Sequence, residues 1–254
     1  MLKKEKIFKK KLKSLLFKLK IKRGSNIILH SNSAGLLQFY KKISSFDIFF
    51  NLLLNQIGKN GTLVIPTYNY DFTKGKTFDQ KKSFSQVGNF GNHLLKKYYR
   101  KRTSNPIFSH LVFGKYYQKL MNIKNCELFG DKSFFSYLEK LDFRIICFCC
   151  SPASITFNHY IENKMKVNYR FKKKFEGYLK NKENIKKIEV VYNVGKKNVN
   201  YLIKEKNLLK LVNNRNFLQI SFGRFYCYSV KARYYSRVLQ RKIKSNVKFL
   251  IKDT

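Results

Sequence analysis

Three short runs of apolar residues constrain the fold of this chain most strongly. They lie at Asn26–His30, Thr62–Pro66 and Arg144–Cys150. Each is only a few residues long and is bounded by glycine or polar residues, which is typical of strands buried inside a sheet. A helical pattern at Asp47–Ile57 separates the first two runs. Helix and strand that alternate with short turns predict an α/β sheet with crossover helices.

Helical patterns also occur elsewhere in the chain. The first lies within residues 1–22, where apolar residues recur at helical spacing among lysines. This N-terminal amphipathic helix either packs on the sheet or lies on an anionic membrane surface, and packing is the favoured interpretation. Further helices are predicted at 88–100, 115–122, 133–141 and 232–243, and a helix start within 151–162.

The pattern becomes richer in strands towards the C-terminus. Ile188–Val194 and Asn198–Ile203 predict a β-hairpin, and Leu218–Val230 adds strand-like segments around a glycine. We therefore predict a β-rich portion over residues 185–230, within a single domain that covers residues 1–254. The predicted fold class is α/β, with a mixed central sheet flanked by helices and a C-terminal β-rich portion.

Two stretches have no clear periodicity. Residues 67–87 are polar and aromatic, and residues 102–114 are irregular around Pro106. Unstructured connections of such length in compact domains are usually functional or disordered. We therefore expect both stretches to be loops.

The net charge has two explanations. The chain carries 54 Lys+Arg against 14 Asp+Glu, a formal charge of +40, and 44% hydrophobic residues exclude a disordered basic tail. Such charge is typical of proteins that bind polyanions. However, Lys, Asn, Ile, Phe and Tyr are abundant, whereas Pro is 3 and Trp is 0, which is the pattern of an AT-rich genome. We favour the compositional explanation and expect no specific nucleic acid partner.

The cysteines and the apolar stretches indicate a reduced, cytoplasmic protein. Three of five cysteines lie in the last apolar run, where a free thiol behaves as a small buried hydrophobe, so we expect neither a disulfide framework nor a metal site. No stretch reaches the roughly 18–20 apolar residues that span a bilayer, and no signal-peptide core is present. The cysteines are Cys126, Cys147, Cys149, Cys150 and Cys227.

The best candidate for acid–base chemistry is His159, with Glu162 three residues later. If a helix starts here, the two side chains share one face. They follow a buried strand, and ligands bind at the carboxyl ends of strands in open α/β sheets. A carboxylate can fix the tautomer of an imidazole and raise its basicity, as a general base requires. Each histidine could equally be a satisfied structural residue, including His30 and His110.

Four motifs in sequence order carry a family resemblance. They resemble the VHSS-type strand end, the GTLVMPT strand, the R-S-x-H-P-x-x-S loop and the T-x-x-H-x-x-E motif of the aminoglycoside 3-N-acetyltransferase family, also called the antibiotic acetyltransferase family. The resemblance extends over roughly residues 12–240. The matching segments are Leu29–Ser33, Gly61–Thr67, Arg102–Ser109 and Thr156–Glu162, with further matches at Gly88, Gly130–Ser133 and Phe222–Cys227.

The resemblance implies acetyl-CoA-dependent N-acetylation of an aminoglycoside or amino sugar, on a fold unrelated to that of GNAT acetyltransferases. His159 would be the general base, because an ammonium group must lose a proton before it attacks a thioester. Glu162 would orient His159 or help to hold the cationic substrate, and Thr156 would donate a hydrogen bond to the oxyanion. The best candidates to bind acetyl-CoA, the co-substrate, are Ser31, Asn32, Ser33, Arg102, Thr103, Ser104 and Ser109.

Two departures from the family pattern bear on the substrate. Asn105 stands where the family's R-S-x-H-P motif has histidine, and acidic residues near the motifs are few. Aminoglycosides are polycations, so the charge favours a singly aminated sugar, such as a nucleotide-linked sugar for a surface polysaccharide. The alternative is a protein that binds polyanions or membrane surfaces on a degenerate, inactive acetyltransferase scaffold. The oligomeric state stays open, with a homodimer as one alternative.

Overall fold

The strands of the protein form two sheets. The computed structural model describes residues 2–123, 127–181, 184–197 and 199–252. Within these ranges the strands are β1 (Asn26–Ser31), β2 (Thr62–Pro66), β3 (Phe78–Asp79), β4 (His110–Gly114), β5 (Arg144–Phe148), β6 (Arg170–Asn181), β7 (Asn184–Gly195), β8 (Phe217–Phe222) and β9 (Phe225–Lys231).

The larger sheet has six strands in the order β4-β2-β1-β5-β9-β8. β1 runs parallel to β2 and to β5, whereas the β2–β4, β5–β9 and β8–β9 pairs are antiparallel. The sheet is therefore mixed, as predicted, with a parallel centre. The second sheet has the order β3-β6-β7 and consists mainly of the long β6–β7 ribbon.

Helices cover both faces of the six-stranded sheet. The helices are α1 (Leu2–Lys18), α2 (Ala34–Leu37), α3 (Ser44–Ile57), α4 (Asn89–Tyr98), α5 (Tyr117–Met121), α6 (Phe134–Lys140), α7 (Phe157–Lys164), α8 (Glu205–Leu209) and α9 (Ala232–Ser245). Short 3-10 helices lie at Asp71–Lys74, Tyr99–Lys101 and Pro152–Ser154. No helix in the described ranges is long and apolar enough to cross a membrane.

The apolar strands are continuous because both faces of the sheet are buried. In β1, Ile27 and Leu29 pack with α1, α3 and α4, whereas Ile28 packs on the opposite face with α6, α7 and α9. The same alternation places Leu63 and Val64 of β2 in different cores. Side chains of successive strand residues point to opposite faces, so two apolar cores require an unbroken apolar run.

The N-terminal helix packs on the protein. Phe8, Leu12, Leu15 and Leu16 are buried, whereas Ile7 is about half exposed, and α1 contacts α3 and β8. Its lysines occupy the opposite, exposed face. Of the two interpretations of this helix, packing on the protein is therefore the one that the structure shows.

The predicted hairpin at 188–203 is wrong. Ile188–Val194 lies in β7, whose partner is β6 and not the segment that follows, and β6 itself was absent from the prediction. Asn198 lies outside the described residues, and residues 199–202 form no strand. The reason is that seven of the twelve residues of β6 are exposed, three of them consecutive lysines, so the strand shows no clean apolar alternation.

Both predicted loops contain strands. β4 lies within the 102–114 stretch, immediately after the irregular segment around Pro106. The 67–87 stretch contains β3 and a 3-10 helix. β4 is an antiparallel edge strand of five residues, as short as β2 and β5, but its apolar run directly follows the irregular segment around Pro106, and the prediction treats the two as one loop.

The described cysteines are free thiols. Cys147, Cys149 and Cys227 are buried and Cys150 is half-buried, whereas Cys126 lies outside the described residues. In the part of the chain that the structure describes, no group of three or more His, Cys, Asp or Glu residues could hold a metal ion.

The packing of α1 predicts how two of its residues respond to truncation. Leu12 is fully buried, whereas Phe17 on the same helix is 79% exposed. We expect Leu12→Ala to lower the free energy of unfolding by about 2–5 kcal/mol, because it leaves a cavity. Phe17→Ala should change it by less than about 0.5 kcal/mol. Urea unfolding measures both, and equal effects would contradict the packing described for this helix.

Candidate active site

A cavity of about 310 Å³ opens where β1 and β2 end. Leu29, His30 and Ser31 of β1 line one side, and Ile65 and Pro66 of β2 line another. This is the edge of the sheet at which ligands bind in open α/β folds. The remaining lining residues are Tyr68, Tyr70, Val87, Gly91, Cys150, Ala153, Ser154, Ile155, Thr156 and His159.

His159 and Glu162 form a hydrogen-bonded pair beside this cavity. Both lie on α7, and Nδ1 of His159 is 2.7 Å from Oε2 of Glu162. A carboxylate accepts only, so in the neutral imidazole the proton lies on Nδ1 and the lone pair remains on Nε2. The His159 side chain is 23% exposed and lines the cavity. The pair therefore has the arrangement of a general base with its orienting carboxylate.

The carboxylate of Glu162 has no contact with solvent. Its side chain is fully buried, and the hydroxyl of Tyr169 donates to its second oxygen, Oε1, over 3.0 Å. The Nε of Arg170 lies 2.6 Å from Oε2 as an ion-pair contact. Burial by itself raises the pKa of Glu162, but the hydrogen bond and charge of His159, the charge of Arg170 and the Tyr169 bond together lower it below its usual value. Glu162 is therefore ionised at neutral pH.

Neighbouring elements fix the helix that carries the pair. The hydroxyl of Tyr235 in α9 donates to Asn158 over 2.8 Å, and that of Tyr160 donates to Glu139 of α6 over 2.7 Å. Asn163 donates to the carbonyl of Phe129 over 2.7 Å. These contacts hold α7 on three sides, so the orientation of its side chains is set by the fold.

A second group of polar side chains meets at the cavity, and the sequence analysis missed its centre, Tyr68. The Tyr68 hydroxyl lies 3.1 Å from Nε2 of His110, and Thr156 lines the same cavity as Tyr68. Thr156 precedes α7, and its side chain makes no capping bond to the helix. Burial raises the pKa of Tyr68, so the phenol stays neutral. Tyr68 directly follows the β2 motif, so the strand-end rule could have identified it.

His30 and His110 are neutral in the folded protein. Burial lowers the pKa of His30 to about 4. Burial, assisted by His30, lowers the pKa of His110 well below its usual value. The ring of His110 stacks on Phe134 with ring centres 4.0 Å apart. Neither imidazole is a cation at neutral pH, so neither provides charge for a phosphate.

The residues at the end of β1 remain close to the cavity. Ser31 lines it, and Oδ1 of the exposed Asn32 accepts a hydrogen bond from the backbone N–H of Ala34 over 3.0 Å. The Ser33 hydroxyl is buried and has no hydrogen-bond partner within the structure described. An unpaired buried hydroxyl is unfavourable, and a bound amide or phosphate group would satisfy it.

Arg102, in contrast, is directed into the protein. Its side chain is fully buried. Its Nε donates to the Ser109 hydroxyl over 2.9 Å and its Nη2 to the carbonyl of Thr67 over 2.7 Å, while Nη1 donates to the Ser83 carbonyl. Burial lowers the pKa of Arg102 to about 10, so it stays charged at neutral pH. In this structure the guanidinium holds the loop to the strand, and it has no surface open to a phosphate.

The other polar residues of that loop also have partners within the chain. The Thr103 hydroxyl accepts a hydrogen bond from the backbone N–H of His110 over 3.0 Å. The fully buried Ser109 hydroxyl donates to the Thr67 carbonyl over 2.7 Å. Ser104 is half-buried. The structure therefore brings Ser31, Thr156 and His159 together but does not bring Arg102, Thr103 or Ser109 to the cavity surface.

The family model described as aminoglycoside 3-N-acetyltransferase matches residues 30–243. The chain belongs to this family. It is an acyltransferase of that type, and its fold agrees with solved structures. Among curated proteins, a search found no match.

Three solved structures illustrate the likeness in fold. The structure titled AAC-IIIb binary with CoASH has a TM-score of 0.78 at 12% identity and covers 97% of this chain and 98% of its own. The structure of YokD protein from Bacillus subtilis has a TM-score of 0.77 at 13% identity, with 94% of each chain covered. The structure titled AAC-VIa bound to Sisomicin has a TM-score of 0.76 at 13% identity and covers 93% of this chain and 97% of its own.

Asn105 occupies the position of the histidine in the acetyltransferase family's R-S-x-H-P motif. It is buried, and its Oδ1 accepts hydrogen bonds from the backbone N–H groups of Ile107 and Phe108 over 3.0 and 2.7 Å. An asparagine can form this turn without titrating near neutral pH. Its position in the structure is consistent with a role in the shape of the loop.

The contacts of Arg102 predict a stability defect without a specific loss of CoA binding. We expect Arg102→Lys to lower the free energy of unfolding by about 2–4 kcal/mol, because an ammonium cannot reach all of these buried acceptors. The exposed Arg100→Lys is the matched control and should be neutral. Urea unfolding and calorimetric titration with CoA separate the effects. Weaker CoA binding with unchanged stability would contradict this assignment.

Proposed function

We propose that this protein is an acetyl-CoA-dependent N-acetyltransferase that acetylates an amino group of an amino sugar, with His159 as the general base. The observation that carries the proposal is the His159–Glu162 pair, 2.7 Å apart, beside a cavity at the carboxyl edge of the sheet. Membership of the aminoglycoside 3-N-acetyltransferase family supports the reaction type.

His159 performs the proton transfers in the proposed mechanism. Acetyl-CoA supplies the acyl thioester. Nε2 of His159 accepts a proton from the acceptor amine as the amine nitrogen bonds to the thioester carbonyl carbon. When the carbon–sulfur bond breaks, the imidazolium returns that proton to the departing sulfur, so the base is regenerated in each turnover.

Two further side chains have proposed roles in this step. Thr156 lies beside Tyr68 at the cavity, and its hydroxyl is a candidate donor to the developing oxyanion. Glu162 is fully buried, which favours the role of orienting His159 over direct contact with a cationic substrate. The sequence analysis left both roles of Glu162 open.

The residues proposed for CoA are a reduced set. Ser31, Asn32 and Ser33 remain candidates, and the unpartnered Ser33 hydroxyl supports a polar ligand there. The apolar Leu29, Ile65 and Pro66 would suit the methylene groups of a pantetheine arm. Ser104 also remains a candidate. We withdraw Arg102, Thr103 and Ser109 as direct ligands, because their polar groups bind the chain itself.

The charge of the site supports an acceptor with few positive charges. No Asp or Glu is among the residues that line the described cavity, and Glu162 already binds three side chains. A polycation would meet little negative charge in a protein of net charge +40. A nucleotide-linked amino sugar for a surface polysaccharide suits these charges better than a polycationic antibiotic. A cytoplasmic location remains a prediction.

The alternative function, an inactive scaffold that binds polyanions or membrane surfaces, has less support. A degenerate enzyme has no need to keep a buried carboxylate paired with a cavity-facing imidazole. The paired His159 and Glu162 therefore favour catalysis.

The proposed base predicts the effect of one substitution. We expect thiol release from acetyl-CoA in the presence of a suitable amino sugar, with His159→Gln lowering kcat by at least about 100-fold. The KM for acetyl-CoA should change little, since glutamine retains the shape of the site. A panel of nucleotide-linked amino sugars, free amino sugars and one aminoglycoside identifies the acceptor.

His93→Gln is the matched control for this assay. His93 bonds Asp47 over 2.9 Å and does not line the described cavity, so this variant should retain wild-type activity. Turnover by His159→Gln at the wild-type rate would exclude His159 as the base. Absence of thiol release with every amine would argue against an N-acetyltransferase.

A further inference from the structure

Arg170, the first residue of β6, is a buried cation next to the carboxylate that orients His159. Its side chain is 3% exposed, and its Nε lies 2.6 Å from Oε2 of Glu162. The same oxygen meets Nδ1 of His159 at 2.7 Å. Two groups that can carry positive charge therefore compete for one buried carboxylate oxygen.

Charge compensation decides whether His159 must keep its proton. A fully buried carboxylate is unfavourable unless a cation neutralises it. If His159 were the sole cation available, it would retain its proton to neutralise Glu162. An imidazolium cannot accept a second proton, so the site would lack a base near neutral pH. Arg170 is always charged and already provides this compensation.

We propose that Arg170 is a positioning residue that neutralises Glu162 and thereby leaves His159 free to accept a proton at neutral pH. The proposal rests on the proposed role of His159 as general base. It assigns a function to the β6–β7 ribbon, whose first residue extends this cation towards α7. Tyr169, which directly precedes β6, holds the other oxygen of the same carboxylate.

Four buried or half-buried titratable groups around the pair are neutral at pH 7. Burial raises the pKa of Tyr169 and of Tyr192 in β7. Burial lowers the pKa of His30, at the end of β1, to about 4. Tyr68, whose pKa burial also raises, faces the cavity from the segment after β2. None of these groups can replace the charge of Arg170.

Further side chains surround the Arg170 guanidinium and His159. The Asn193 carbonyl accepts from Nη1 of Arg170 over 3.5 Å, and the Tyr201 ring lies 5.8 Å from its guanidinium. The ring of Phe129 lies 5.8 Å from that of His159. Tyr70 and Cys150 also line the cavity; burial raises the pKa of Tyr70 to about 12, whereas the contact with Cys147 lowers the pKa of Cys150. Glu127, close in sequence to Phe129, pairs with the exposed Lys172 over 2.5 Å.

The test is the titration of His159 in wild type and in Arg170→Gln. Carbon-edited NMR of the histidine imidazoles measures the pH at which each one releases its proton. The signal that disappears in His159→Gln is the signal of His159. In Arg170→Gln, we expect His159 to release its proton at a pH roughly one unit higher or more. The rate of acetyl transfer at pH 7 should fall about tenfold and recover when the assay pH is raised. A variant that had lost its folded structure would not regain activity at the higher pH.

Two variants separate charge from packing. Arg170→Lys keeps the positive charge and should titrate within about half a unit of wild type. Tyr169→Phe removes an uncharged donor from the same carboxylate and should leave the titration of His159 nearly unchanged, although the rate falls. A shift in Tyr169→Phe as large as that in Arg170→Gln would overturn the proposal.

A double variant covers the case in which Arg170→Gln does not fold. Arg170→Gln with Glu162→Gln contains no uncompensated buried charge, and His159 should titrate within about half a unit of wild type. A shift of a unit or more in the double variant, or wild-type titration in folded Arg170→Gln, would overturn the proposal. The NMR measurement needs no acceptor. A failure of the proposed function, with no amine acetylated, is therefore distinguishable from a failure of this inference.

Discussion

The buried charge of Glu162 is the constraint on which the rest of the site depends. A carboxylate with no solvent contact must be neutralised and hydrogen-bonded by the protein. Its partners come from two consecutive elements of the chain, a helix and a strand of the second sheet. His159 lies on α7, whereas Tyr169 and Arg170 lie at the start of the β6–β7 ribbon. The packing of this helix against the ribbon therefore holds the carboxylate that orients the imidazole.

The six-stranded sheet places this pair beside a cavity. Because β1 and β2 are parallel, their carboxyl ends lie at one edge, and α7 begins at the same edge after β5. The polar residues there are mostly neutral, since burial keeps His30 and His110 unprotonated. The site thus contains the His159–Glu162 pair, hydroxyl groups and apolar walls. The large positive charge of the chain contributes little to this chemistry and remains a property of the surface.

The sequence predicted those parts of the structure that local patterns determine. β1, β2 and β5 are apolar runs, and the three-residue spacing of His159 and Glu162 places them on one helical face. Contacts between side chains of different elements were not predictable in this way. Arg102 resembles a phosphate ligand in sequence, but it binds Thr67 and Ser109 inside the protein. Arg170 opens a lysine-rich strand with no apolar alternation, so nothing local distinguishes it from its exposed neighbours.

The position of the sulfur atom of bound CoA tests the central claim most directly. A crystal structure of the protein with CoA would locate it. The account predicts that the sulfur lies in the cavity lined by Ser31, Thr156 and His159, with room for an acceptor amine next to Nε2 of His159. CoA bound with its sulfur outside this cavity, or along a displaced Arg102 loop, would contradict the account.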